Sequence, residues 1–204
     1  SYHAKGDSLD YFSVTFELAR KLNLDGYVLP LGILYQMNNR QAEEMAVKSI
    51  SLVDDFDPAN TLVLERAVKG YRCIVKDNAN GMKECIRHLI CDHGYKDIAY
   101  IGGPTYSNGA IERRKAVLEE FAAHGMTLKP SMEKVGNFSG TCADKVHELL
   151  DENEHIDVIV CASDEIAFTV YRVLAERGIK PGIDIGVTGF DDAPEAVFAE
   201  PPLS

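Results

Sequence analysis

The sequence predicts an α/β protein whose parallel strands are covered by helices on both faces. Short apolar runs at 73–75, 98–101, 158–161 and 185–188 alternate with stretches of helical periodicity, and strands that read as continuous apolar runs are those buried on both faces. No Pro/Gly/Ser-rich linker interrupts the alternation, so any two lobes are joined by short crossings.

In chain order, residues 10–22 place Phe12, Phe16, Leu18, Ala19 and Leu22 roughly on one helical face. Asp25-Gly26 then turns into the short strand Tyr27-Val28-Leu29. A polar helix at 39–46 precedes a strand at 49–53, and 54–70 reads as loop holding a short helix or strand. Cys73-Ile74-Val75 forms a strand ending at Asp77-Asn78, and the next helix turns Met82, Cys85, Ile86, Leu89 and Ile90 inward. Gly94 ends that helix, as a residue tolerant of left-handed backbone should. Strand Ile98–Ile101 runs into Gly102-Gly103-Pro104. A helix near 110–124, a strand near 133–136 and a helix at 141–151 with Val146, Leu149 and Leu150 inward come next. Strand Val158–Cys161 leads to Asp164, placed as the N-cap of a helix over 165–177. Gly178 closes that helix, and strand Ile185–Thr188 follows.

Composition narrows the function. With 204 residues, 46% of them hydrophobic, the chain can bury a sizeable core. No run reaches the roughly 18 apolar residues of a membrane span, and no secretion signal opens the chain. Ser1-Tyr2-His3 lacks an initiator Met, which reads as an excerpt of something longer. Lys and Arg total 21 against 32 Asp and Glu, a net charge of −11. Such a surface repels phosphate backbones unless its cations cluster, and the densest cluster, Arg113-Arg114-Lys115, follows Glu112 inside a helical pattern. Direct nucleic-acid contact by this chain is therefore not expected. The five cysteines form no C-x-x-C pair, which suits small buried side chains in a reducing, cytoplasmic setting.

Ligands of open parallel sheets bind outside the carboxyl ends of the strands. Here those ends read Asp77-Asn78, Gly102-Gly103-Pro104-Thr105, Ala162-Ser163-Asp164 and Gly189-Phe190-Asp191-Asp192. Carboxylates accept hydrogen bonds from hydroxyls, and an aromatic face packs on the C–H face of a sugar or on a base. Such a rim suits a neutral polyol, sugar or nucleoside. The competing structural reading is that an Asp after a strand caps the next helix; the coincidence of several at one sheet edge favours the functional one.

Other features carry less. The glycines from Gly102 to Gly109 lack both phosphate-loop spacings. His88 and His93, five apart, fall on different helix faces, so no metal pair is expected, and His88 reads as half-buried. Glu43-Glu44 and Glu119-Glu120 read as solvated faces. No nucleophile elbow or Cys–His motif is present, so neither catalysis nor a metal or other cofactor is expected.

Several stretches resemble a known family. Gly81-Met82 through Ile90, His93-Gly94-Tyr95-Lys96-Asp97-Ile98-Ala99-Tyr100-Ile101-Gly102-Gly103, Glu112-Arg113-Arg114 and Gly136-Asn137-Phe138-Ser139 are similar to lactose/galactose-repressor-type sensor domains. So are Ala162-Ser163-Asp164-Glu165-Ile166-Ala167, Gly178-Ile179-Lys180-Pro181, Val187 through Asp192, and the closing Pro201-Pro202-Leu203-Ser204. The resemblance covers about 72–204 in order, and fits 10–53 more loosely through Leu24-Asp25-Gly26-Tyr27-Val28.

The resemblance implies a periplasmic-binding-protein type I-like fold, two Rossmann-like lobes with a small-molecule effector in the cleft. The lobes would be 1–78, incomplete, and 79–204. Carried over by motif, the ligand-binding residues would be Asp77, Arg113, Phe138, Ser163 and Asp191. The arginine would hydrogen-bond ligand oxygens, the aromatic would stack, and the acid would anchor hydroxyls. Ser163 stands where the family commonly has Asn. The family's first strand, the strands returning after Pro-Pro-Leu-Ser, and the preceding helix-turn-helix are not within this sequence. The 16–26 stretch and the His93-Gly94-Tyr95 variant also resemble sensors fused to GGDEF-type diguanylate cyclases. The implied protein is a homodimeric regulator with its output domain, cyclase or DNA-binding, in the same polypeptide. The alternatives are an enzyme acting on a small sugar or nucleotide, and an extracytoplasmic solute-binding protein, which the free cysteines and missing signal disfavour.

Overall fold

The computed structural model describes residues 25–30, 57–65, 67–137 and 142–203. The helices expected at 10–22 and 39–46 and the strand expected at 49–53 lie outside these residues. The chain divides into two compact units, Ser1–Lys76 and Asp77–Ser204.

In the first unit, β1 (Tyr27–Pro30), β2 (Thr61–Leu64) and β3 (Arg72–Ile74) form a parallel sheet in the order β1-β2-β3. The open stretch 54–70 thus contains a strand, with Thr61 and Val63 turned to the buried side. Arg72 adds a tie between β3 and the β1–β2 connection, donating from Nη2 to the Ala59 carbonyl at 2.9 Å.

The second unit begins with α1 (Asn78–Cys91) and β4 (Ile98–Gly102), then α2 (Asn108–Ala123), β5 (Glu133–Val135) and α3 (Ala143–Glu152). It continues with β6 (Val158–Cys161), α4 (Asp164–Glu176) and β7 (Gly186–Thr188). Its four strands are parallel in the order β5-β4-β6-β7. Every residue of β4 and β6 is buried, which is why these two central strands read as unbroken apolar runs.

Right-handed crossovers then fix the layers. From β4 the chain steps outward to β5, and from β6 it steps the opposite way to β7. The intervening helices α2 and α4 therefore lie on opposite faces. Helix α1 packs on α2, and α3 on α4, giving the expected three layers.

The strand ends expected to meet at one sheet edge are in fact divided between two sheets. β3 belongs to the first unit, whereas β4, β6 and β7 belong to the second. Apolar runs identify strands but carry no information on which sheet a strand joins.

Local signals held more closely. Met82, Ile86 and Leu89 are buried as periodicity requires, with Cys85 and Ile90 packed at the core margin. Gly94 takes φ +71°, which lets the Tyr95 N–H turn back to the Leu89 carbonyl at 3.1 Å.

Glu120 departs from expectation: instead of a solvated face it is buried, accepting from Arg87 Nε at 2.9 Å. The packing of α1 on α2 brings that arginine to it, a contact no single-helix pattern contains. Glu120→Ala leaves Arg87 without this acceptor and opens a gap between the helices. A loss of about 1–3 kcal/mol is expected, checked by urea denaturation against Glu119→Ala, whose carboxylate is exposed.

Candidate functional site

In the second unit, β4 and β6 are neighbours whose outgoing connections run in opposite directions. That arrangement opens a crevice at their carboxyl ends, the usual ligand position in such sheets. Arg113, one and a half turns into α2, reaches this crevice with its side chain buried at 6% exposure.

Its guanidinium is held from four directions. Nε donates to Asn78 Oδ1 at 2.9 Å, and Nη1 donates to the Ala162 carbonyl at the end of β6. Nη2 donates to Asp191 Oδ1 at 2.9 Å, with Nη1 3.4 Å from Oδ2. The Phe190 ring lies beneath, 3.9 Å from the guanidinium carbon to the ring centroid, close enough for a cation–π contact.

Each partner is positioned by local structure. Asn78 opens α1, and its Nδ2 donates to Glu112 Oε2 at 2.8 Å. Glu112 also accepts from Asn108 Nδ2 at 3.1 Å, which ties the first turns of α1 and α2 together. Gly81 leaves room for Phe190: a Cβ there would sit 3.2 Å from the ring Cζ. Asp191 and Asp192 follow at φ +108° and +55°. Such left-handed backbone at non-glycine residues costs energy and clusters where function holds it.

The resemblance-derived residues separate as follows. Arg113 and Asp191 are in direct contact. Ser163 adjoins the Ala162 carbonyl, but its hydroxyl accepts from the Ile166 N–H at 3.4 Å as the N-cap of α4. This corrects the expectation that Asp164 is the cap. Asp164 is the first helical residue, buried, with Oδ2 accepting from the Ala193 N–H at 2.6 Å.

Asp77 is exposed and N-caps α1, accepting from the Asn80 N–H at 3.1 Å and from Asn80 Nδ2 at 2.8 Å. Its neighbour Asn78 is the residue that reaches Arg113. Phe138 lies outside the described residues. Sequence reasoning did not single out Asn78, Glu112 or Phe190 for this cluster. The quoted Asp77-Asn78, Glu112-Arg113 and Phe190-Asp191 pairs contain them, but only the helix starts show which member points inward.

Among the described residues, neither the Cys161 thiol nor the Tyr100 phenol is poised as a nucleophile. Burial pushes the Cys161 thiol well above its ordinary pKa, which keeps it protonated. The Tyr100 hydroxyl is likewise raised by burial and has no hydrogen-bond partner among the described residues.

At the opposite end of the sheet, Asp97, His155 and Asp157 bring ligand atoms within 4.8 Å of one another. Asp157 Oδ2 accepts from the Lys96 and Asp97 N–H groups at 2.8 and 2.9 Å, and Lys129 Nζ sits 2.9 Å from Asp97 Oδ1. Burial pulls the Asp157 carboxyl up, but those amides and His155 outweigh it and hold it low. This group ties the starts of β4 and β6 together. No helix among the described residues is long and apolar enough to cross a membrane.

The histidine expectation needs a second correction. His88 and His93 are both exposed, and their Nε2 atoms lie 3.1 Å apart. Helix α1 stops at Cys91 and the chain turns back, so helical spacing does not apply to this pair.

The chain is similar to proteins of a known family. Residues 86–204 match the periplasmic binding protein-like domain family. The HTH-type transcriptional regulator CelR of Thermobifida fusca is 34% identical over 131 residues, 63% of this chain and 38% of its own length. The lactose operon repressor of Klebsiella pneumoniae is 30% identical over 155 residues, 75% of this chain and 43% of its own. The chain thus spans less than half the length of these curated relatives.

Among solved structures, a CelR–cellobiose complex aligns with a TM-score of 0.71 at 24% identity, covering 96% of this chain and 57% of that one. A LacI-family transcriptional regulator from Burkhoderia phymatum aligns at 0.75 and 22%, covering 97% and 69%. At these identities the structural likeness establishes the fold.

Proposed function

The chain belongs to the periplasmic binding protein-like domain family, and on that premise we propose that it is the effector-binding part of a bacterial transcription regulator. Its ligand is a neutral, hydroxyl-rich molecule of the sugar or nucleoside class, taken at the carboxyl-end crevice of the second unit's sheet. The observation that carries this reading is the buried Arg113 fixed against the partly exposed Asp191, whose side chain is 33% exposed. A rigid donor and a reachable acceptor side by side match the two faces of a hydroxyl, which both donates and accepts. Phe190 beneath them adds a flat apolar surface.

Two relatives support the class of ligand and output. One solved neighbour is a regulator in complex with cellobiose, and the curated relatives include regulators of the HTH type. We assign the output to a DNA-binding head elsewhere in the polypeptide, with a GGDEF-type cyclase as the competing outcome, and the working unit to a homodimer. A dimeric Lac repressor is among the structural neighbours. The described ligand set would be Arg113, Asp191 and the Ser163 region, with Phe138 closing on the ligand and Asp77 adjoining it. Ligand binding changes output only through its differential affinity for the two states of the regulator.

The test is a thermal-shift screen of the full-length protein with cellobiose, galactosides and nucleosides, followed by calorimetry on the compound that binds. Asp191→Asn should weaken that compound about tenfold to a hundredfold, as loss of a charge-assisted hydrogen bond of about 1.5–3 kcal/mol requires. Unchanged affinity would show that the site lies elsewhere. Asp77→Ala separates cap from ligand contact: it should lower stability by about 0.5–2 kcal/mol through the lost cap. A drop in affinity beyond that loss would give Asp77 a direct ligand role.

A further inference from the structure

We propose that His88 and His93 form a binding site for a divalent transition-metal ion of the imidazole-preferring class, such as zinc, nickel or copper. The site is remote in kind from the Arg113 cluster and does not depend on the function proposed above. Both rings are exposed, at the end of α1 where the chain reverses.

The tautomer of His88 follows from its neighbour. His88 Nδ1 lies 2.6 Å from Asp92 Oδ2, and an ionised carboxylate only accepts. Nδ1 is therefore the donor in this pair, which leaves Nε2, the nitrogen turned toward His93, as the one available to a metal ion. A carboxylate behind a histidine in this way is the usual outer partner of a metal-bound imidazole, fixing its tautomer and raising its basicity.

The second ring is held as firmly. His93 stacks on Tyr95, with centroids 5.1 Å apart and planes 18° from parallel. Its Nε2 stands 3.1 Å from His88 Nε2. Two nitrogens bound to one ion at about 2.0–2.1 Å are separated by about 2.9 Å at a right angle and about 3.3 Å at the tetrahedral angle. The observed spacing falls between these values.

The ring centres give an independent check. If both lone pairs converge on one ion at about 2.05 Å, with each nitrogen about 1.2 Å from its ring centre, a 3.1 Å nitrogen spacing implies centroids about 4.9 Å apart. The centroids are 4.7 Å apart, with the rings at 89°. Two rings pointing straight at each other through a shared proton would stand about 5.5 Å apart, from the same ring dimensions added to the 3.1 Å spacing. The observed centroids stand closer than the straight arrangement allows, as they would for rings bent toward a common point beside the line joining them. Water would complete the coordination sphere.

Calorimetric titration of the tag-free chain with zinc chloride tests this. One saturable site is expected, weakened at least tenfold by His88→Ala and by His93→Ala, and roughly tenfold by Asp92→Asn, the scale of loss when an outer partner is removed. All three side chains are exposed, and circular dichroism of each variant checks that it stays folded. His155→Ala and His124→Ala should leave the affinity unchanged. Absence of saturable binding, or binding that persists in both His88→Ala and His93→Ala, overturns the proposal. So does a site abolished by His155→Ala or His124→Ala instead.

Discussion

Arg113→Ala should destabilise the second unit by about 3–5 kcal/mol, the largest loss expected from any single truncation discussed for this chain. The guanidinium is 6% exposed and serves four partners at once: Asn78, the Ala162 carbonyl, Asp191 and the Phe190 ring. Its removal leaves a buried carbonyl and a buried amide oxygen without their donor, each costing roughly 1–3 kcal/mol. It also removes the cation that faces the Asp191 carboxylate, and breaking one half of a buried pair costs about 3–5 kcal/mol. Asp191 is one-third exposed, so water relieves part of that last cost, and the contributions do not simply add. Arg113→Lys should recover little, because a single ammonium cannot reproduce the planar fork. Chemical denaturation of the full chain measures both variants. A loss below about 1 kcal/mol for the alanine variant would mean that the cluster is surface decoration, since exposed pairs fall in that range.

Gly189→Ala should be the second largest, at about 2–4 kcal/mol, although it adds one methyl group. A Cβ at Gly189 would stand 1.9 Å from Asp164 Oδ1 and 2.9 Å from Leu203 Cδ2. Neither neighbour can withdraw freely. Asp164 is buried and its other oxygen holds the Ala193 N–H at 2.6 Å; Leu203 is buried as well. Relief requires moving the carboxylate off the amide, which adds an unmade buried hydrogen bond to ordinary overpacking of about 1–3 kcal/mol. The prediction is read by thermal melting, with Gly125→Ala as a comparison in which no atom lies within 4 Å of the added Cβ. Gly125 has φ +68°, so its substitution isolates backbone strain from crowding. Equal shifts for the two would show that the Asp164 contact yields at no cost.

The alternation of strands and helices from 72 onward was legible because burial on both faces leaves an apolar run that no exposed segment shares. β4, β6 and the inward positions Met82, Ile86 and Leu89 follow from that pattern alone. Asp191 was legible as a carboxylate just past a strand end, whereas Arg113 was legible only through the resemblance, since nothing in its immediate neighbours distinguishes a buried arginine from a solvated one. Asp164 and Ser163 show the limit of local reasoning: both types cap helices, and the helix start decided which one does. Glu120 and the His88–His93 pair fall to the same cause, because each depends on a partner brought close by packing or by chain reversal. What the sequence determined by itself was the set of elements and the side each buries, both set by periodicity over a few residues. Which strands share a sheet, which polar side chains meet, and which of two adjacent residues faces the crevice depend on contacts between segments far apart in the chain, and only the tertiary structure decided them.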